Sequence, residues 1–294
     1  MHRVGVIGTG AMGGGVVQSL VRAGLTTLAR DIRPEAQDLA VRHGAVPAAS
    51  AADVARSADA IVILVVDAEQ VETVLFGTDG VTTAQPSAGI VLVSSTVDPA
   101  YVCDVAPRLA ARGIALLDAP VSGGPAKAAS GTMTMIVSGD TDAFARMHPV
   151  LERITGRLFA VGPRAGDAST FKIVNNLLAA ANLAAGAEAL AIAQAAGLDL
   201  RRVFDVVAAS SGASWIFGDR VPRALADDYA PRAAATLLWK DVGIAESLAK
   251  RLDVEAPFTR LARSLFADAL AAGCGDEDDA VLVRRALEAA GRAR

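Results

Sequence analysis

The run VGVIGTGAMGGGVVQSLVRAGLTTLARD, residues 4–31, decides how this chain folds at its start. Val4 to Ile7 is short, β-branched and apolar, as a buried strand is. It ends in Gly8-Thr9-Gly10-Ala11-Met12-Gly13. The apolar, helix-forming segment Val16 to Ala23 follows, and Gly24 stops it. Thr26 to Ala29 reads as a second strand ending near Asp31. Strand, GxGxxG, helix, strand and acidic residue, in that order, form the dinucleotide fingerprint. Gly8 permits the tight turn, Gly10 lets the backbone approach a pyrophosphate, and Gly13 lets helix and strand pack closely. The helix start offers free N–H groups to phosphate. Gly8, Thr9, Gly10, Ala11, Met12 and Gly13 are therefore the candidate phosphate cradle, and Asp31 the candidate ribose ligand. A carboxylate there accepts from ribose hydroxyls and repels a 2′-phosphate, which favours NAD over NADP. Arg30 and Arg33 flank it and soften that preference.

The same alternation continues. Pro34 suits the first position of a helix and Ser50 the N-cap of the next. Ala60 to Val66 and Ile90 to Val93 are continuous apolar runs, as central parallel strands buried on both faces are. Asp98-Pro99 opens a helix to Ala111, and Ile114 to Leu117 is a further strand. Gly131 to Ser138 alternates like a strand, Asp140 caps a helix, and Leu158 to Val161 is the last strand before Gly162-Pro163. Strands separated by helices imply right-handed crossovers and a doubly wound, mostly parallel sheet. Ligands of such sheets bind at the carboxyl ends of the strands. Val65, Val66, Asp67 and Thr96 lie there, as candidates to line a cofactor or as ordinary loop residues. Ser122-Gly123-Gly124 follows another strand. It is a plain glycine turn or an anion-binding concavity of backbone N–H groups suited to a carboxylate.

From Gly166 to Leu198 the composition changes. The stretch has no Pro, one interior glycine (Gly186), and abundant Ala and Leu, so a long helix is expected. Lys172, Asn175 and Asn176 sit near its start, and spacings of three and four place Lys172 on one face with both amides. Beyond it the pattern is helical throughout: 199–209, 215–226, 233–252 (with Lys240-Asp241 amid apolar residues), 257–272 and 279–290. The acidic run Asp276 to Asp279 reads as capping and dipole compensation for the last helix. The expected architecture is an α/β dinucleotide-binding domain over residues 1–163 and an all-α domain over 164–294.

Composition narrows the function. With 294 residues, two domains are the better expectation, and 52% hydrophobic against 20% charged residues excludes a disordered chain. A net charge of −4 without a Lys/Arg block argues against nucleic acid as a partner. The run Ala60 to Val66 is too short to span a membrane, and Asn182, Glu188 and Gln194 interrupt the Ala-rich helix. No signal peptide is visible, and no Cys or His pair has metal-ligand spacing, so no metal and a reducing cytoplasmic setting are expected.

Four motifs then fall in one order: GTGAMG at 8–13, DAPVSGG at 118–124, GPRAGDASTFKIVNN at 162–176 and KDVGIA at 240–245. Together they resemble the β-hydroxyacid dehydrogenase family, which includes 3-hydroxyisobutyrate dehydrogenase and tartronate semialdehyde reductase, over nearly the whole chain. The resemblance implies a Rossmann domain joined by a long helix to a helical domain that builds homodimers or homotetramers. It implies Lys172 as catalytic base, Asn176 positioning substrate, and Ser122, Gly123 and Gly124 holding its carboxylate. Thr96 and Lys240 then lie by the nicotinamide end. SSGASWIFGDRVP at 210–222, DYAPR at 228–232 and GDEDDA at 275–280 look most like the L-threonate dehydrogenase branch. Many members carry Phe seven residues before the KD lysine, where this chain has Ala233, and the smaller side chain leaves room for a longer, hydroxylated acid. Ser211 and Ser214 either bind extra hydroxyls or cap a helix. The implied activity is NAD-dependent oxidation of a small hydroxy acid. Its rivals are 3-hydroxyisobutyrate oxidation, NADP-dependent reduction of glyoxylate or of tartronate or succinic semialdehyde, and a non-catalytic NAD-binding scaffold. A decarboxylating phosphogluconate-type enzyme lacks support, because no basic cluster for a sugar phosphate is evident.

Overall fold

A computed structural model describes residues 2–84 and 89–292, and the chain divides into two compact units, Met1–Lys172 and Ile173–Arg294. The first unit runs β1 (Arg3–Ile7), α1 (Ala11–Arg22), β2 (Thr26–Arg30), α2 (Pro34–Arg42), β3 (Val46–Pro47), α3 (Ala51–Ser57), β4 (Ala60–Ile63) and α4 (Ala68–Phe76). It continues through β5 (Ile90–Val93), α5 (Pro99–Ala110), β6 (Ala115–Asp118), β7 (Val121–Ser122), α6 (Gly124–Ser130), β8 (Met133–Gly139), α7 (Thr141–Ile154) and β9 (Thr155–Gly162). The strands form one sheet in the order β3-β2-β1-β4-β5-β6-β8-β7, with β9 on β8. Pairing is parallel from β3 through β6; β8 runs antiparallel to β6 and β7, and β9 is parallel to β8.

Period-two alternation builds this unit. Val4, Val6, Val62 and Leu92 point into one apolar layer, and Ile7, Ile61, Ile63, Val91 and Val93 into the other. Each such side chain contributes about 1.5–3 kcal/mol on burial, so both faces must be covered by helices. Strand order reverses between β1 and β4, which opens the crevice where such sheets bind ligands. Helix starts follow their caps: Ser50, Asp98 and Asp140 accept from the N–H of Asp53, Ala100 and Ala143.

One strand is shorter than expected. The apolar run 60–66 is strand only to Ile63, because the chain leaves the sheet to reach Asp67, whose carboxylate caps α4 at Gln70 N–H (2.9 Å). Val65 stays apolar because it packs beside Gly8.

The long helix α8 (Asp167–Ala195) passes without a break into the second unit, which adds α9 (Leu200–Ala208), α10 (Trp215–Leu225), α11 (Ala235–Arg251), α12 (Pro257–Ala271) and α13 (Val281–Arg292). By length and composition α8 is apolar enough to cross a membrane. In the fold one face of it is core, where Ala180, Leu183, Ala187 and Leu190 pack with Phe217, Val242 and Phe266, and the other face is exposed. Gly186 is there because a Cβ would stand 2.7 Å from the Phe217 ring.

The acidic run before α13 does more than cap. Asp278 and Asp279 are both buried. Arg220 grips Asp279 with Nε and with Nη2 at 3.0 Å, while Arg223 donates to Asp278 at 2.8 Å. Asp278 also accepts from the backbone N–H of Arg232 (2.9 Å), Ala233 (3.2 Å) and Ala280 (3.1 Å). Burial pushes the Asp279 carboxyl up to about 6, against the opposing pull of Arg220. Removing one member of such a cluster strands a buried charge, which costs about 3–5 kcal/mol. Arg220→Ala is therefore expected to lower the unfolding free energy in urea by that amount, a loss far above that of an exposed Arg such as Arg164→Ala.

Candidate active site

At the nucleotide end, Gly8 holds φ +85° and donates its N–H to Arg30 O at 2.9 Å. A Cβ there would lie 2.6 Å from Leu64 O, and one at Gly13 would lie 1.8 Å from Gly8 O. Only glycine permits this approach of α1 to β1. Helix α1 starts after Gly10 with no side-chain cap, so its first N–H groups face the cleft. The cleft has a volume of about 280 Å³, lined by Thr9, Gly10, Ala11, Gly14, Gln18 and Arg33 among others. This cradle fits a pyrophosphate, with contact through backbone, since the Met12 side chain turns into the core.

Asp31 is buried and accepts from Thr9 N–H (2.7 Å), Arg33 N–H (2.9 Å), Arg33 Nε (3.2 Å) and Arg33 Nη2 (3.3 Å). Burial pushes its carboxyl up, but the Arg33 side chain and the two backbone donors outweigh burial and hold it below the usual carboxylate range. Arg33 thus does more than flank Asp31: its guanidinium occupies the carboxylate and lies over Gly10. A ribose diol has to take over those bonds. Val65 lies against the glycine turn; Val66 is half exposed and gives its N–H to Gln70 Oε1 at 3.0 Å. Thr96 is half-buried in the segment between β5 and α5, beyond the carboxyl end of β5.

Ser122 ends β7 opposite Thr134 of β8, and Gly123 and Gly124 follow at φ +122° and +78°. Both glycines hold a φ that residues with a Cβ rarely adopt, so the turn depends on glycine. The aliphatic stem of Lys127 runs along Gly123, within 2.9 Å of where a Cβ would be. That lysine was not among the sequence candidates, and its three-residue spacing from Gly124 was the available signal. At the start of α8, Lys172 is buried at 8% exposure.

In the helical unit Asn176 donates from Nδ2 to Asp241 Oδ2 at 2.7 Å and accepts from Asn175 at 3.1 Å. Lys240 Nζ pairs with Asp241 Oδ1 at 2.8 Å. Asp241, which joins the two candidates, is the residue that sequence reasoning passed over. Its signal was a carboxylate beside Lys240 in an apolar helix. The Asn pair on the expected patch divides: Asn176 shares the buried side of α8 with Lys172, one turn away, and Asn175 is exposed. Ser214 is a helix cap, accepting Phe217 N–H at 3.2 Å.

A strand, glycine turn, uncapped helix start and buried acidic residue in this order are the marks of a dinucleotide-binding domain. Residues 3–162 match the model of the NAD binding domain of 6-phosphogluconate dehydrogenase, and residues 166–286 that of the NAD-binding segment of NADP-dependent 3-hydroxyisobutyrate dehydrogenase. L-threonate dehydrogenase of Cupriavidus necator is 42% identical over 283 residues, 96% of this chain and 95% of that one. The Escherichia coli K12 protein of the same name is 41% identical over 96% of this chain and 93% of its own. A crystal structure described as 3-hydroxyisobutyrate dehydrogenase from Salmonella typhimurium superposes with TM-score 0.88 at 41% identity, covering 97% of this chain and 99% of that one. The chain belongs to the β-hydroxyacid dehydrogenase family, and within it is an NAD-dependent enzyme acting on CH–OH.

Charged hydrogen bonds of the Asp31 kind are worth about 1.5–3 kcal/mol, or roughly 10- to 100-fold in affinity. Asp31→Ser is expected to weaken NAD by that factor while weakening NADP less. Fluorescence titration of both reduced cofactors measures the ratio.

Proposed function

We propose that this chain oxidises L-threonate at the expense of NAD. The observation that carries this is the full-length likeness to L-threonate dehydrogenases, joined to Ala233 where many family members have Phe. The half-buried Ala233 gives its N–H to Asp278, so the GDEDDA segment is bonded to this position. A second reading, 3-hydroxyisobutyrate as substrate, draws on the description of the similar Salmonella structure. NADP-dependent semialdehyde reduction is opposed by Asp31.

The nicotinamide, when bound, supplies the hydride acceptor. The chain's residues do the rest. Ser122, Gly123 and Gly124 hold the substrate carboxylate through backbone N–H and hydroxyl donors. Neutral Lys172 takes the proton of the reacting hydroxyl as the carbon gives up its hydride and becomes a carbonyl. Asn176, fixed by Asp241, orients the substrate, and the family resemblance assigns Lys240 to the nicotinamide end. An ordinary lysine is neutral in about one copy in a thousand near pH 7.5, and a general base works best with its pKa near the operating pH. The amine therefore needs a site that disfavours its charge.

Lys172→Ala is expected to lose at least about a thousandfold in turnover and to keep its affinity for NAD. The measurement is absorbance of reduced nicotinamide with L-threonate, D-threonate, 3-hydroxyisobutyrate, glycerate and L-serine. Turnover in the variant comparable to the parent would end the assignment, and preference for 3-hydroxyisobutyrate would replace the substrate.

We also place the protein in the cytoplasm as a homodimer or homotetramer. On α8, Val174, Leu178 and Ile192 are 51%, 57% and 64% exposed. Ala185 and Ala189 lie exposed on the same stripe. An apolar stripe of this length suits a second helix of the same kind. Sedimentation velocity is expected to show a multiple of 29.9 kDa, and Leu178→Glu with Ile192→Glu to reduce it. A parent protein sedimenting as a single chain would exclude this assembly.

A further inference from the structure

Asp118 is wholly buried at the end of β6 and has no role in the mechanism above. Its Oδ2 accepts from the backbone N–H of Gly166 at 3.0 Å and of Ser169 at 2.8 Å, and its Oδ1 accepts from the Ser169 hydroxyl at 2.7 Å. Ser138, its register partner on β8, accepts from Ala168 N–H at 3.0 Å and donates toward Asp118 at 3.4 Å. Every bond to the carboxylate comes from a donor, which suits the ionised form. Burial raises its pKa and these donors oppose the rise.

The first N–H groups of a helix have no partner of their own. Here Gly166, Ala168 and Ser169 are all bonded to two side chains that face each other across one antiparallel pair. Three donors on these two side chains tie the first turn of α8 to β6 and β8. Lys172 follows Ser169 by three residues, on the same helix face. In the other direction along the chain, Ser122-Gly123-Gly124 begins four residues after Asp118. One buried carboxylate is thus the joint from which the amine-bearing helix and the anion-suited turn both depart.

We infer that Asp118 is a positioning residue, setting where the Lys172 amine stands relative to the Ser122–Gly124 turn. The inference rests on Lys172 being the base. Displacing a catalytic group by about 1 Å costs on the order of a hundredfold in rate, so the effect belongs in kcat.

The test compares the full-length parent, Lys172→Ala, Asp118→Asn and Ser169→Ala. Asn keeps the size of Asp118 but turns an NH2 group toward donors; Ser169→Ala removes only the hydroxyl bond. Asp118→Asn is expected to lower kcat by roughly 30- to 100-fold, with KM for the acid and Kd for NAD within about threefold of the parent. Ser169→Ala is expected to show a smaller loss of the same kind. A kcat within about twofold of the parent in both variants, or a loss lying wholly in KM, overturns the inference. If Asp118→Asn does not fold, Ser169→Ala decides by the same criterion. If the parent reduces no nicotinamide with any acid, the assignment of Lys172 fails by itself, and hydrogen exchange decides the placement of the helix. Amides 166–172 are then expected to exchange at least about tenfold faster in Ser169→Ala, and unchanged exchange overturns the inference.

Discussion

A Cβ at position 13 would stand 1.8 Å from the carbonyl oxygen of Gly8. That contact sets the spacing between α1 and β1, and the nucleotide end of the first unit follows from it. The helix comes close enough for its uncapped N–H groups to converge on the cleft. The strand pair beside it carries Asp31 to the rim, with Thr9 N–H already on its carboxylate. The same region is the switch point of the sheet, so the chain places its phosphate cradle where the topology leaves a crevice.

The two units reach stability by different means. The first is a sheet covered on both faces, its strands filled with Val and Ile. The second buries Phe217 and Phe266 among alanines and leucines and relies on close helix approach and on the cluster of Arg220, Arg223, Asp278 and Asp279. Buried ion pairs of this kind are costly to desolvate and costly to break. They specify how α10 meets the start of α13 more sharply than alanine contacts do. Asp241 acts on the same principle within its unit, binding an amide with one oxygen and an ammonium with the other.

What the sequence shows best is local. Caps at Ser50, Asp98, Asp140 and Asp199 mark helix starts because the capping bond spans two or three residues. Strands β1, β2 and β5 show because glycine or acidic residues bracket them. The run 60–66 misleads because the loop after Ile63 is as apolar as the strand before it. The two-residue strands β3 and β7 have no length over which a period can appear. Long-range pairs stay hidden for another reason: Asn176 meets Asp241 across 65 residues, and Asp118 meets Ser169 across 51. Lys172 and Asn176 stand out through helical spacing, yet their roles come from the order of motifs. Spacing gives a shared face and says nothing of chemistry.

An interior assembled from alanine resists drift. Where helices touch through methyl groups, as α8 does with its neighbours, a larger side chain has no slack to move into, and a bulkier residue at Ala180 or Ala187 would push backbones apart. Gly186 against Phe217 is tighter still. Descendants of this sequence that acquire a different acid would then leave the helix packing alone. They would change at segments that can absorb bulk, such as 210–214 before α10 and 228–233 before α11.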